Sequence, residues 1–149
     1  PYIDLQYRLI NYTFEGLDDN LNFSNQTVDY GFFNPKVGLT YLHNNATFYG
    51  VYAVGNREPV RDDFRNNKPN DWPEHEQLNN IEVGYKYRKG RKQFNINFYD
   101  MQYTNQLVLT GAVNDVGEAV RTNVDESYRR GVEIEFQYPI FEKLRKRYH

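Results

Sequence analysis

Alternation of apolar and polar residues with a period of two is the main pattern along this chain. In the clearest segment, the apolar residues Ile81, Val83 and Tyr85 alternate with polar or small ones. Such alternation is typical of a β-strand that turns one face towards an apolar environment. The pattern occurs in the segments 3–9, 36–41, 81–88, 94–103 and 132–138, and weakly in 47–54, where both faces are apolar or small. Since no segment has a convincing helical period, we predict an all-β chain of antiparallel strands.

The connections between these segments are alternately long and short. Residues 43–46 and 89–92 are tight turns, whereas a polar stretch over 15–31 and a loop of roughly twenty residues over 56–77 are long. The last connection, through 114–117, is intermediate. Antiparallel neighbours then carry tight turns on one edge and large loops on the other, which is typical of outer-membrane barrels. A soluble antiparallel sandwich also alternates its faces, so the pattern alone leaves both open.

Composition narrows the function classes. Aromatic residues make up 17% of the 149 residues, with 14 Tyr and 10 Phe, and tyrosine favours boundaries between apolar and wet regions. A formal net charge of −2 gives no electrostatic case for a nucleic-acid partner. The mean hydropathy of −0.88 does not exclude a membrane barrel, whose lumen and loops are polar.

The sequence predicts neither catalysis nor a metal site or cofactor. Ser24 and Ser127 are not within a nucleophile-elbow motif. His43, His75 and His149 lie in unrelated connections without metal-ligand spacing, and there is no cysteine. We therefore expect a protein that is not an enzyme.

Five short motifs, in order, carry a family resemblance. They are FFNPKVGLTY (32–41), AVGNREP (53–59), PEHEQLNNIEVGY (73–85), NFYDMQY (97–103) and SYRRGVE (127–133). Together they resemble the barrel of TonB-dependent outer-membrane receptors. The resemblance implies a transmembrane β-barrel of about 22 strands. Residues 1–149 would be a section with about six of them, lacking the plug domain and flanking strands.

The resemblance also implies a function. The intact receptor would import a scarce ligand across the bacterial cell outer membrane, in contact with lipid, its own plug domain and the TonB protein. A ferric siderophore or other iron complex is the commonest ligand class of the family. The alternative is a soluble β-domain that binds carbohydrate or protein through aromatic faces.

The loop after the third strand is the best ligand-binding candidate. It places charges of both signs at the wide edge of the sheet, on Arg57, Glu58, Arg61, Asp62, Asp63 and Arg65. Arginines there would suit anionic ligands through bidentate contacts. The alternative is that Arg57 and Glu58 pair with neighbouring strands or the plug and fix the shape of the loop.

A second set of candidates is aromatic. Under the barrel interpretation, the aromatic side chains are expected to lie at the membrane interfaces. A platform for stacking sugars is the alternative role. The set comprises Tyr41, Tyr85, Tyr87, Phe98, Tyr99 and Tyr103.

Overall fold

In the computed structural model, the described residues fold into a single six-stranded antiparallel sheet. The structure describes residues 1–17, 23–65, 72–113, 117 and 119–139, without the side chains of 14, 16, 17, 23–26, 65, 112 and 119. The strands are β1 (Tyr2–Leu17), β2 (Phe23–His43), β3 (Ala46–Arg57), β4 (Glu76–Lys89), β5 (Lys92–Val113) and β6 (Ala119–Gln137). Each strand pairs with its neighbour in sequence, which confirms the predicted all-β antiparallel class.

A short helix that the sequence pattern did not predict, α1 (Arg61–Arg65), lies in the connection between β3 and β4. Residue 61 follows a proline-containing segment, and two acidic residues occupy the first helical turn, where negative charge is favourable. Among the described residues, no helix has the length and apolar character needed to cross a membrane.

The two tight turns lie where the sequence predicts them. Turn 43–46 joins β2 to β3, and turn 89–92 joins β4 to β5. They are neighbours at the same edge of the sheet, since the Arg88 amide donates to the Asn45 carbonyl at 2.8 Å. Gly90 has a φ of 59°, the left-handed conformation that a two-residue hairpin turn requires.

The strands are longer than their alternating segments, and the long loop predicted over 15–31 is wrong. Instead β1 continues to residue 17 and β2 begins at residue 23, so the two form an extended hairpin. In its upper part, Asn11 bonds Asp29 and Thr13 bonds Thr27 across the strands. The apolar residues lie on the other face there, where Ile10 is opposite Tyr30 and Tyr12 is opposite Val28. The alternation of segment 3–9 therefore changes phase while the backbone ladder continues.

The two faces of the sheet differ sharply in polarity. Val83 pairs with Phe98 and Tyr85 with Ile96, so these residues share a face, as predicted. Val83 and Phe98 are 48% and 47% exposed even though both lie in the middle of the sheet. We call this face the apolar belt. Its large exposed members are Ile3, Leu5, Tyr7, Leu9, Phe33, Val37, Leu39, Tyr41, Phe48, Tyr52, Ile81, Val83, Phe98, Val132, Ile134 and Phe136.

The apolar belt ends abruptly towards the loop edge. On β5, Phe98 is followed on the same face by Asp100, which pairs with Arg130 of β6 at 2.8 Å. On β2 the belt extends from Phe33 to Tyr41, within the roughly 9–11 residues that a tilted strand needs to cross a bilayer. The strands therefore extend beyond the belt at the loop edge, whereas at the tight-turn edge they end close to it.

The opposite, polar face is built around tyrosines that lie over glycines. A Cβ on any of these glycines would overlap the tyrosine ring opposite, so the glycines let the rings lie flat on the sheet. The Tyr49 hydroxyl also donates to Asn97 at 2.8 Å. The directly opposed pairs are Tyr2–Gly38, Tyr49–Gly84 and Tyr99–Gly131.

We predict that Gly84→Ala destabilises the full natural protein by about 1–3 kcal/mol. The added methyl group displaces the Tyr49 ring and breaks its bond to Asn97. The measurement is the free energy of unfolding in detergent and urea. Gly55→Ala is the matched control, because a Cβ at Gly55 meets no atom within 4 Å, and it should change stability by less than about 0.5 kcal/mol. Equal effects of the two substitutions would contradict this packing role.

Candidate functional site

The connection between β3 and β4 folds back over the polar face at the loop edge. We call its described residues, 58–65 and 72–75, the strap. Glu58 pairs with Arg8 of β1 at 2.7 Å, and Asp63 pairs with Arg121 of β6 at 3.2 Å. The strap therefore contacts the two outermost strands of the described sheet.

At the end of the strap that contacts β1, most of the contacts involve Arg8. It donates to the Glu58 carboxylate and, at 3.0 Å, to the Asn56 carbonyl, and its guanidinium lies 5.3 Å from the Phe32 ring centroid. Phe32 is 3% exposed. Burial, and then the charge of Glu58, raises the pKa of the Tyr30 hydroxyl beside it. This end of the strap is thus partly desolvated and held by one arginine.

At the β6 end, Asp63 is a buried acid with several partners. It is 5% exposed and accepts the Val60 amide at 2.9 Å in addition to Arg121. Next to it, the buried Phe64 packs edge-on against Trp72, with ring centroids 5.6 Å apart. Because a buried carboxylate must be paired to remain charged, Asp63 fixes the short helix against the sheet.

Asparagine side chains of β5 and β6 bind the second part of the strap, residues 72–75, which leads into β4. Glu74 accepts from Asn105 at 2.6 Å, and its backbone amide donates to Asn123 at 2.7 Å. Asn105 has a φ of 53°, an uncommon conformation that asparagine tolerates better than most residues. Glu76 then accepts the Leu107 amide at 3.0 Å, so the strap is joined to β5 and β6 by side-chain bonds.

The six charged residues predicted from the sequence divide into two groups. Arg57 pairs with Glu76 at 3.1 Å, while Glu58 and Asp63 form the ion pairs described above. These three connect the loop to the sheet. Arg61 and Asp62 are exposed, and the side chain of Arg65 lies outside the described residues. The ligand-binding role of the six remains a prediction.

Sequence reasoning did not identify the strand residues that hold the strap. Arg8 is 50 positions from Glu58, and Arg121 is 58 positions from Asp63. A lone arginine in a strand carries no local signal of such a partner. Only the register of the sheet brings the two arginines to the same edge.

An open hollow beside the strap is a candidate place for a ligand group. It has a volume of about 290 Å³ and is lined by Tyr12, Thr13, Glu15, Arg61 and Phe64. Arg61 provides a guanidinium, Tyr12 and Phe64 provide aromatic surface, and Glu15 adds a carboxylate. The guanidinium and the rings together suit contact with a flat anionic group.

The aromatic candidates form a continuous row near the tight turns. Ring centroids are 6.4 Å apart for Tyr41 and Phe48, 4.9 Å for Phe48 and Tyr85, and 6.3 Å for Tyr85 and Phe94. We call these four residues the aromatic row. Phe48 and Phe94 are not among the aromatic residues predicted from the sequence. Tyr87, opposite Phe94, lies on the same face.

The remaining aromatic candidates do not all share that face. Phe98 lies within the apolar belt, away from the turns. Tyr99 lies opposite Glu82 and Gly131, and Tyr103 is buried opposite Leu78, so both are on the polar face. The apolar residues of β5 change face after Phe98. Tyr99 and Tyr103 therefore do not lie on the face for which the membrane-interface role was predicted.

The described residues contain no group of three or more histidine, cysteine or acidic side chains positioned to hold a metal ion. The strap is held by ion pairs and by hydrogen bonds from backbone and side-chain amide groups. Its chemistry is suited to binding and to holding a loop.

An exposed apolar belt, a polar face and loops on one edge together define a section of barrel wall. Residues 3–148 match the family described as "TonB dependent receptor-like, beta-barrel". The chain belongs to this family, as the resemblance predicted, and the family does not favour the soluble β-domain alternative.

Two solved structures have the same fold. One is a double mutant of the hemophore receptor HasR of Serratia marcescens in complex with its hemophore HasA and heme, with 13% identity and a TM-score of 0.62. It is matched over 90% of this chain and 27% of HasR. The other is the FrpB iron transporter from Neisseria meningitidis, with 18% identity, a TM-score of 0.55 and coverage of 89% and 20%. A search of curated proteins gave no match.

We predict that Asp63→Asn loosens the strap without unfolding the sheet. Losing the charge weakens the bonds to Arg121 and the Val60 amide, so local opening should become easier by about 1–3 kcal/mol. Hydrogen exchange of the amide at position 63, which bonds the Val60 carbonyl, measures this. Asp62→Asn, an exposed neighbour on α1, is the control and should leave exchange nearly unchanged. Similar exchange in both variants would contradict the proposed anchoring by Asp63.

Proposed function

We propose that this chain forms part of the wall of a TonB-dependent transporter in the bacterial outer membrane, one that imports an iron complex. The observation that carries the proposal is the apolar belt. Its turn-side margin is formed by the aromatic row, and towards the loops it ends at the Asp100–Arg130 pair. A belt of this kind, with amphipathic rings at its edge, is what a lipid bilayer selects.

Three features assign the remaining surfaces. The polar face would line the lumen and contact the plug domain of the intact receptor. The strap lies on that face at the loop edge, the extracellular side in this orientation. Its position would let it meet a ligand before the plug moves, with TonB supplying the energy from the inner membrane.

The ligand class is supported by the similar structures and by the hollow. HasR binds a hemophore and heme, and FrpB is an iron transporter, according to their descriptions. The hollow beside Arg61 combines a cation with aromatic surface, which suits contact with an anionic or aromatic part of a ferric siderophore or of haem. We propose binding and transport without covalent chemistry.

Val83→Arg tests the lipid-facing assignment. Arginine near the bilayer midplane should lower the folding stability of the full natural protein in phospholipid vesicles by roughly 2–4 kcal/mol. The measurement is reversible unfolding in denaturant. Thr40→Arg, on the polar face opposite Tyr49, is the matched control and should cost much less. A larger loss from Thr40→Arg would mean that the faces are inverted.

Uptake tests the transport assignment. A bacterial strain lacking the natural gene should recover TonB-dependent uptake of a ⁵⁵Fe-labelled catecholate siderophore, hydroxamate siderophore or haem when the gene is restored. Arg61→Ala should reduce that uptake at least about fivefold, since it removes a charge-assisted contact. Arg91→Ala, an exposed arginine at the opposite edge, is the control. Failure to take up any of the three complexes would contradict the iron assignment.

A further inference from the structure

The turn between β4 and β5 carries two lysines on the same face as the apolar belt. Lys89 and Lys92 are directly opposite each other, and the next pair on that face is Tyr87 with Phe94. Both lysines are exposed. Two residues of strand are about 7 Å long, so the lysines lie just beyond the rings of the aromatic row.

Neither lysine has a carboxylate partner among the described residues. Lys92 instead lies over the Tyr138 ring, with its Nζ 4.8 Å from the centroid. Like charges placed directly opposite each other on a sheet are destabilising. The other tight turn has His43 and Ala46 in the equivalent positions, so paired cations are not a general requirement of turns at this edge.

We infer that Lys89 and Lys92 bind the phosphate of an anionic phospholipid in the membrane leaflet at the tight-turn edge. This inference rests on the proposed membrane location. An anion shared by the two ammonium groups would offset their repulsion. The acyl chains of the same lipid would then lie along Phe94 and the apolar belt, which begins on that face one residue pair away.

The register favours a lipid over a soluble anion. Arg88 pairs with Gln93 on the polar face, and with Arg91, Gln137 and Tyr138 it lines a hollow beside the turn. A soluble anion could occupy that hollow. The lysines, in contrast, are on the face of the aromatic row, where lipid headgroups would lie under the proposed membrane location, and this position favours an anion attached to the bilayer.

The test is lipid binding to the full natural protein in detergent, measured by native mass spectrometry. Wild-type protein should bind phosphatidylglycerol more tightly than phosphatidylethanolamine. The double variant Lys89→Gln/Lys92→Gln should lose about tenfold in phosphatidylglycerol affinity. Lys89→Arg/Lys92→Arg keeps both charges and should retain the affinity, which separates charge loss from misfolding.

Arg88→Gln is the matched control, because it removes a charge from the same turn on the opposite face. It should change the affinity less than about twofold. An equal loss in Arg88→Gln, or no preference for phosphatidylglycerol, would overturn the lysine site alone. Insertion into phospholipid vesicles is measured in parallel. Failure of the wild-type protein to insert would instead overturn the proposed membrane location, and the lysine site with it.

Discussion

The backbone ladder is the constraint on which the rest of this structure depends. A strand that faces lipid must satisfy its N–H and C=O groups within the protein, because no water is there to replace it. The β3–β4 and β4–β5 pairs keep a continuous antiparallel register along the apolar belt. The β2–β3 register ends at Lys36 and Ala53, and beyond it the Asn34 side chain accepts the Asn56 backbone amide at 3.0 Å. The irregularities of β5 and β6, the positive φ of Asn105 and the register shift between Leu109 and Val113, occur beyond the belt, where water can satisfy the backbone.

A fixed register in turn decides which side chains can cooperate on the polar face. Because alternation is strict, residues that are directly opposite each other lie on the same face. The register therefore places a tyrosine of one strand over a glycine of the next, as Tyr49 lies over Gly84. The same register brings Arg8 and Arg121 to the loop edge from the two ends of the sheet, where the strap pairs with both. Partial burial gives these ion pairs their importance, since an unpaired Asp63 would leave a buried charge without compensation.

How much the sequence predicted depends on the medium around each residue. Within the apolar belt, lipid and lumen impose opposite polarity on alternate residues, so segments such as 81–88 predict strand, face and turn. Above the belt the apolar residues change to the face that the strap covers, as the contact of Phe32 with His75 shows, so 23–31 was not recognised as strand. The strap was recognised as charged, but its partners could not be predicted, because nothing local in the sequence connects Glu58 to Arg8.

The ion pairs of the strap also limit where ligand selectivity can reside. Charges that hold the loop, such as Glu58 and Asp63, are engaged with the sheet and are poorly placed to exchange partners with a visiting molecule. Under the proposed function, selectivity would fall on groups that the fold presents outward, such as Arg61 beside its hollow. A loop fixed by some of its charges can present others in a defined position, which lowers the entropic cost of binding. The mixture of charges in this loop is therefore consistent with both the structural and the ligand-binding interpretation, carried by different residues.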